Sequence, residues 1–237
     1  MTSEAYRRSS SASDQQLRED PRNLLLARGP RVRLAAEELR DQALATGGLL
    51  SSKRWGPPVY PPQPDGLWRV VYSAASWNEA TGPDRWRRGI YTFWRRTMPY
   101  PSALLFDAPA REVCVSRRHR TNTPLQALVM MNDPVFVEAA QALGRRALEE
   151  HRGDDPSRAA WLFRTALARE PRPVELNRLV SFVEEEREAR SQDPRRARTW
   201  ATDPLGPLPS GLDPVEAAVW TSAAQLMLNL DEFLEPR

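Results

Sequence analysis

The sequence predicts a mainly α-helical fold: an irregular helical array with Pro-rich loops and at most one short strand pair. Three observations carry that expectation. Apolar residues recur at three- and four-residue spacing through the C-terminal half. Aspartate or threonine followed by proline recurs where those stretches begin, a pairing that caps a helix and then opens it. The 22 prolines gather at 57–64 and 194–214, where they mark loops rather than cores.

Taken in order, residues 1–29 are polar around an apolar patch at Leu24-Leu25-Leu26, with turn signals at Asp20-Pro21 and Arg28-Gly29-Pro30. A helix is expected from about Pro30 to Thr46. Val32, Ala35, Ala36, Leu39 and Ala43 form its buried face, Arg33, Glu37, Arg40 and Asp41 its wet side, and Gly47-Gly48 its end. Residues 51–66 read as an extended Pro-rich loop whose Trp55 and Tyr60 lie over a neighbouring surface. Leu67–Ser73 is the one plausible strand. Thr81-Gly82-Pro83-Asp84 breaks the chain, Asp84 is expected to cap the next helix, and Trp86, Ile90, Phe93 and Trp94 follow at helical spacing up to Met98-Pro99. Residues 1–83 are thus a loosely packed part and 84–237 a compact helical part.

The stretch 117–134 carries the strongest local signals. Thr123 is an N-cap, Pro124 sits at the first helical position, and Gln126 completes a capping box. Asn132 is expected to end that helix in the left-handed conformation, and Asp133-Pro134 starts the next. Beyond it, helices are expected from Pro134 to Glu150 (Phe136, Ala139, Ala140, Leu143, Ala147 buried), from Asp155, and from Pro173 to Arg190. A Pro/Gly loop over 193–212 follows, then a last helix opened by Asp213-Pro214 with Val215, Val219, Ala223, Leu226 and Leu230 in one stripe.

Composition narrows the function classes. A chain of 237 residues buries a real core. Its net charge of +3 makes it no polyelectrolyte, and with Lys53 the single lysine, arginine richness alone argues little. One cysteine, Cys114, excludes an internal disulfide, a cysteine zinc cluster and a C-x-x-C-H haem attachment within this chain. The two histidines give no metal-ligand spacing, so no metal site is expected. No apolar run reaches membrane-span length. The first residues hold no signal-peptide core, which taken alone places the product in the cytoplasm.

The arginines between Asp84 and Arg120 are the sharpest feature: nine against three acids. Folding of the loop back on an 85–96 helix would bring together Arg95, Arg96, Arg111, Arg117, Arg118 and Arg120, and guanidinium forks suit sulfate, carboxylate or phosphate. With Asp107 and Asn122 they make the candidate anion- or ligand-binding set. The structural reading, preferred at this point, ties these arginines to Asp107, Glu112, Asp133 and helix C-terminal carbonyls. Thr123, Gln126, Asn132 and Asp133 are read as structural caps, and Asn122 as a cap with ligand contact secondary. Trp86, Tyr91 and Trp94 fall on the apolar face of the expected helix, which argues for packing over nucleic-acid binding. Cys114, between Val113 and Val115, reads as a buried inert thiol rather than a nucleophile paired with His119. Asp107 and Glu112 have the types of a general acid and base, but not a diagnostic spacing. His151 reads as a solvated helix-end residue.

Several blocks together resemble a known family: Arg87-Arg88-Gly89-Ile90-Tyr91-Thr92-Phe93-Trp94-Arg95-Arg96-Thr97, Phe106-Asp107-Ala108-Pro109, Arg111-Glu112-Val113-Cys114, Arg120-Thr121-Asn122-Thr123-Pro124-Leu125-Gln126-Ala127-Leu128 with Asn132-Asp133-Pro134, and the tail Leu228-Asn229-Leu230-Asp231-Glu232-Phe233-Leu234. They are similar to the large domain of unknown function 1553 of planctomycete proteins, with Gly89 where serine is usual and Gly47-Gly48 where Ser-Gly is usual. The resemblance implies that residues 1–237 are the C-terminal portion of one larger domain. It also implies an exported or periplasmic protein, a missing N-terminal half as partner, and a neighbouring cytochrome c domain that carries haem while this chain carries no cofactor. It transfers no catalytic residue. The function expected is a helical scaffold or interaction module within an exported multidomain protein. The alternative is part of an enzyme that grips anionic carbohydrate, sulfated or carboxylated, through the arginine cluster.

Overall fold

The computed structural model describes residues 3–30, 32–64, 66–67 and 76–236. Helices occupy Glu4–Arg7 (α1), Asp14–Glu19 (α2), Ala36–Thr46 (α3), Pro101–Leu105 (α4), Pro124–Asn132 (α5), Pro134–Glu150 (α6), Asp155–Leu167 (α7), Pro173–Ser191 (α8), Pro194–Thr202 (α9), Pro214–Leu228 (α10) and Asp231–Leu234 (α11). The fold is mainly α. Among the described residues the extended pairing is one parallel bridge, Val59 to Thr92. The strand expected at Leu67–Ser73 lies outside the described residues from residue 68 onward.

Aspartate caps open four of the longer helices, α6, α7, α9 and α10. Asp133 accepts from the Val135 N–H (3.0 Å), Asp154 from Ser157 (3.0 Å), Asp193 from Arg196 (3.0 Å), and Asp213 from both Val215 and Glu216 (2.9 Å). Each satisfies first-turn donors that no carbonyl reaches, and a proline follows where its missing N–H costs nothing. The cap of α7 is Asp154 rather than Asp155. The Asp193-Pro194 pair corrects the loop expected at 193–212: the same device opens α9 there, and only the part after Thr202 is irregular.

Helix α10 is the centre. Ala217 to Gln225, Met227 and Leu228 are buried, so the helix is enclosed all round rather than along one stripe, and Leu226 of the expected stripe is the residue left exposed. Its small residues allow this. Ala217 and Ala218 face Ala197 and Ala201 of α9, while Val219, Ala223 and Met227 join Leu143, Leu162, Val183 and Phe233 in the main core. At Gly144 the backbones of α6 and α10 come so close that an added Cβ would stand 2.7 Å from the Thr221 nitrogen. The buried face of α6 holds Phe136, Ala139, Ala140, Leu143 and Ala147, and that of α3 holds Ala36, Leu39 and Ala43. On α8, Arg187 ties Asp155 of α7 and Glu216 of α10.

Helix α3 begins at Ala36, later than Pro30. Residues 32–35 stay out of the helix: the Leu34 N–H is held by the Leu234 carbonyl at 3.0 Å, Ala35 is extended, and Val32 is exposed. Gly48, at φ +76°, ends the helix. The expected 85–96 helix does not form. Two short 3-10 turns, Gly82–Trp86 and Gly89–Tyr91, stand in its place, and Asp84 reaches Lys53 (2.8 Å) instead of capping. Val59 takes the competing backbone bonds: its N–H donates to the Tyr91 carbonyl and its carbonyl accepts from Phe93, both at 2.8 Å. Ile90, expected on a buried face, is exposed, as is Trp55, whereas Tyr60 stacks on Phe93 at 4.8 Å.

Proline-rich chain lacks N–H donors, and here arginine supplies hydrogen bonds to its carbonyls. Arg87, 1% exposed, donates to the carbonyls of Trp55 and Pro57 and lies over the Tyr91 ring. Arg40 donates to those of Arg85 and Arg87, and Arg145 to those of Ala201, Gly206 and Pro207. This corrects the expectation that Arg33 and Arg40 face water: both are buried.

Candidate functional site

The site is built where the start of α3, the end of α4 and the start of α5 meet the irregular segment 111–123. Gln126, 1% exposed, is its internal fastener. Its amide nitrogen donates to the Leu105 carbonyl (2.8 Å) and the Thr121 hydroxyl (3.0 Å), and its oxygen accepts from Arg33 (2.9 Å) and the Thr123 N–H (3.3 Å). Every donor and acceptor of the amide is thereby used. Only half of the expected capping box is made, since the Thr123 hydroxyl takes no cap bond. Asn132 does not turn left-handed either: it is the last residue of α5, its side chain donates back to the Leu128 carbonyl (2.8 Å), and Asp133 follows in the extended region as the shared corner.

Asp133 is buried beneath this corner. Burial pushes its carboxyl up to about 6, against the Val135 N–H, the Ser102 hydroxyl bond and the Arg40 charge, all of which favour the ionised form. Glu138, 0% exposed, is held by Arg85 and by the Trp86 indole N–H at 3.0 Å. Arg40 lies between these groups, and burial lowers its pKa.

Above them the segment 111–120 is exposed throughout yet pinned. Arg111 stacks over Trp94 at 4.8 Å. Arg118 makes a two-pronged bond to Glu37 (2.6 and 3.1 Å). Burial pushes the Glu37 carboxyl up, but the Arg118 fork, a backbone bond and the Arg118 and Arg111 charges together hold it below its ordinary value. Asp107, at φ +62°, accepts from the Thr121 N–H (2.7 Å) and hydroxyl. Between the segment and α3 lies a cleft of about 200 Å³ lined by Arg33, Leu34, Ala35, Phe106, Asp107 and Arg117 to Arg120.

The structure therefore brings together Asp107, Arg117, Arg118 and Arg120. Arg111 lines the neighbouring cavity with Trp94, Arg40 and Glu37. Arg95 bonds the Thr97 hydroxyl (3.0 Å), Arg96 is exposed, and neither lines the cleft, because the helix that was to carry them is absent. Asn122 is exposed beside Thr121. The expected ties to Asp107 and Asp133 are replaced: Thr121 takes Asp107, Asp133 caps α6, and the arginine tied down is Arg118, by Glu37. Glu112 is exposed. Cys114 is exposed rather than buried; its valine neighbours are also exposed, so an apolar flank did not imply packing. His151 caps the end of α6 half-buried, its ring tucked against Gly153. Trp86 and Trp94 are held by indole N–H bonds to Glu138 and the Ala110 carbonyl. Sequence reasoning missed Arg33 and Glu37 as parts of the site. Their signal was an arginine and a glutamate flanking a helix start, which reads equally well as surface.

A family model described as PSD1, protein of unknown function (DUF1553), matches residues 1–183. The chain belongs to that family. The PSD1 match spans the whole site, from Arg33 through Asp133, together with α6 and α7 and most of α8. The tail block at 228–234 lies beyond it, although Leu34 and Leu234 join in the fold. No curated protein and no solved structure matches the chain. Among the described residues no helix is long and apolar enough to cross a membrane, and no group of His, Cys, Asp and Glu is placed to hold a metal ion.

Proposed function

We propose that the chain is a helical interaction module whose docking face is formed by α4, α5 and the exposed edge of α10. One observation carries this. Leu104, Leu105, Leu125, Leu128, Met131 and Leu226 are all exposed, at 39% to 57% of their surface, on elements that touch one another. Gln126 ties α5 to Leu105, and Gln225 beside Leu226 donates to the Met131 carbonyl (2.7 Å). Apolar side chains so grouped on adjoining elements mark an association surface. The bordering segment 111–120 supplies the charge: Arg117 and Arg120 have no carboxylate partner among the described residues. The occupant that complements both is a protein domain presenting apolar side chains flanked by carboxylates. The companion domains that accompany this domain in the resemblance are the first to examine.

Selection of a random peptide library on the intact chain tests this. Recovered peptides are expected to combine Leu or Phe with Asp or Glu, and to lose binding to Leu125→Asp/Leu128→Asp while keeping it to Val174→Asp, which alters an exposed valine on α8. Failure of any peptide to enrich, or equal binding to both variants, overturns the reading. The anionic-carbohydrate alternative has one observation in its favour, the cleft of Arg117 and Arg120.

A further inference from the structure

We infer that the cleft between the start of α3 and residues 117–120 is a binding site for a sulfate- or phosphate-type oxoanion carried on a larger molecule. This inference uses Arg117 and Arg120, which border the docking face, and none of the apolar residues of that face. The account of charge comes first. Of the cations lining the cleft, Arg33 is engaged by Gln126 and Glu235, and Arg118 by Glu37. The one carboxylate of the lining, Asp107, is turned onto Thr121. Arg117 and Arg120 are left facing the cleft with neither a carboxylate nor a carbonyl among the described residues. The buried and bundle arginines are committed: Arg169 holds Glu175 and Glu232, Arg187 holds Asp155 and Glu216, and Arg40, Arg87 and Arg145 hold carbonyls; exposed arginines such as Arg195 and Arg196 are not, among the described residues, but they line no cleft with Arg117 and Arg120.

The geometry is preorganised. The loop that carries these groups is fixed at Arg118 by Glu37, at Thr121 by Asp107 and Gln126, and at Arg111 by the Trp94 ring. With the loop backbone fixed on both sides, Arg117 and Arg120 bind an oxoanion at the ordering cost of their own side chains alone. The opposite wall is the chain leading into α3, where the Ala35 N–H is already taken by the Glu38 carboxylate (2.8 Å), so the guanidinium groups and not the helix start supply the attraction for an anion. Size decides the rest. A buried water needs roughly 10–15 Å³ on this scale, so a cleft of about 200 Å³ takes an oxoanion together with part of what bears it, against the apolar walls of Leu34 and Phe106.

The test is calorimetric titration of the intact chain at constant ionic strength with sodium sulfate, sodium phosphate, a sulfated oligosaccharide and its unsulfated counterpart. Three proteins are compared: wild type, Arg117→Ala/Arg120→Ala, and Arg195→Ala/Arg196→Ala, which removes the same charge from exposed positions on α9. The first pair is expected to weaken binding of the sulfated oligosaccharide about tenfold or more, while the α9 pair leaves it unchanged. The sulfated oligosaccharide binding more tightly than inorganic sulfate assigns a carried ester; equal affinity assigns a free oxoanion and overturns the larger ligand. Equal losses in both pairs, or sulfate behaving like chloride, overturns the site. An Arg117→Lys/Arg120→Lys variant keeps the charge and is expected to bind weakly, because lysine lacks the fork.

Discussion

Arginine does opposite work in two regions of this molecule. In the helical array Arg169 bonds Glu175 of α8 and Glu232 of α11 at 2.7–3.0 Å and lies over the Phe163 ring, so one side chain fastens three elements. Beneath the 111–120 segment, Arg40 directs both terminal nitrogens to the carbonyls of Arg85 and Arg87. On the segment itself Arg117 and Arg120 fasten nothing among the described residues. The residue type is the same and the difference lies in the available acceptors. Proline-rich and helix-end chain leaves carbonyls and carboxylates within reach, while on the exposed loop the carboxylate in reach, Glu37, is taken by Arg118. An arginine cluster in a sequence therefore says little until it is known which acceptors the fold has already assigned to it.

The contrast breaks most easily at Arg40. Arg40→Ala strands two carbonyls and is expected to cost about 4 kcal/mol of stability, read as a loss of that size in urea unfolding; a loss under about 1 kcal/mol would show that the buried arginines are not structural. Asp133 gives the next effect. Its folded pKa, about 6, lies above its ordinary 3.8, so the folded state holds a proton that the unfolded state has released between those values. Stability from this group is present at the acid end and is lost as pH rises through about 6. Asp133→Asn keeps an N-cap and removes the titration, with an expected gain of about 2 kcal/mol above pH 7 that vanishes near pH 4. A pH–stability profile with the same slope as wild type between pH 4 and 6 would refute the assignment. Arg169→Ala, with its head partly solvated, is expected to lose about 1–2 kcal/mol, part of it suppressed by salt. Arg117→Ala should change stability by less than about 0.5 kcal/mol in thermal unfolding, and a larger loss would move it to the structural class.

What the sequence made legible followed from local physics. The corner at 123–134, the start at Asp213-Pro214 and the buried face of α6 are each fixed by a few adjacent residues, and each sits where its capping or spacing places it. The 85–96 segment was illegible because its outcome depends on a distant competitor: Val59 captures its backbone groups, and helical spacing of apolar residues cannot register that. Asp193-Pro194 was passed over although it is the same signal as Asp133-Pro134, since the prolines after it read as loop. In the site, the arginines of 117–120 were visible as residues, but which of them Glu37 neutralises was not. That depends on how α3 lies against the loop.

The arginine-to-carbonyl bonds of residues 51–64 have an effect on how this segment responds to attack. Its backbone is irregular and rich in proline, and amide exchange reports poorly on such chain. Its carbonyls at Trp55 and Pro57 are nevertheless held by a side chain that is itself stacked and buried. Proteases need several residues of loose strand to seat a scissile bond, so this stretch should be cleaved more slowly than its irregular backbone and exposed side chains suggest.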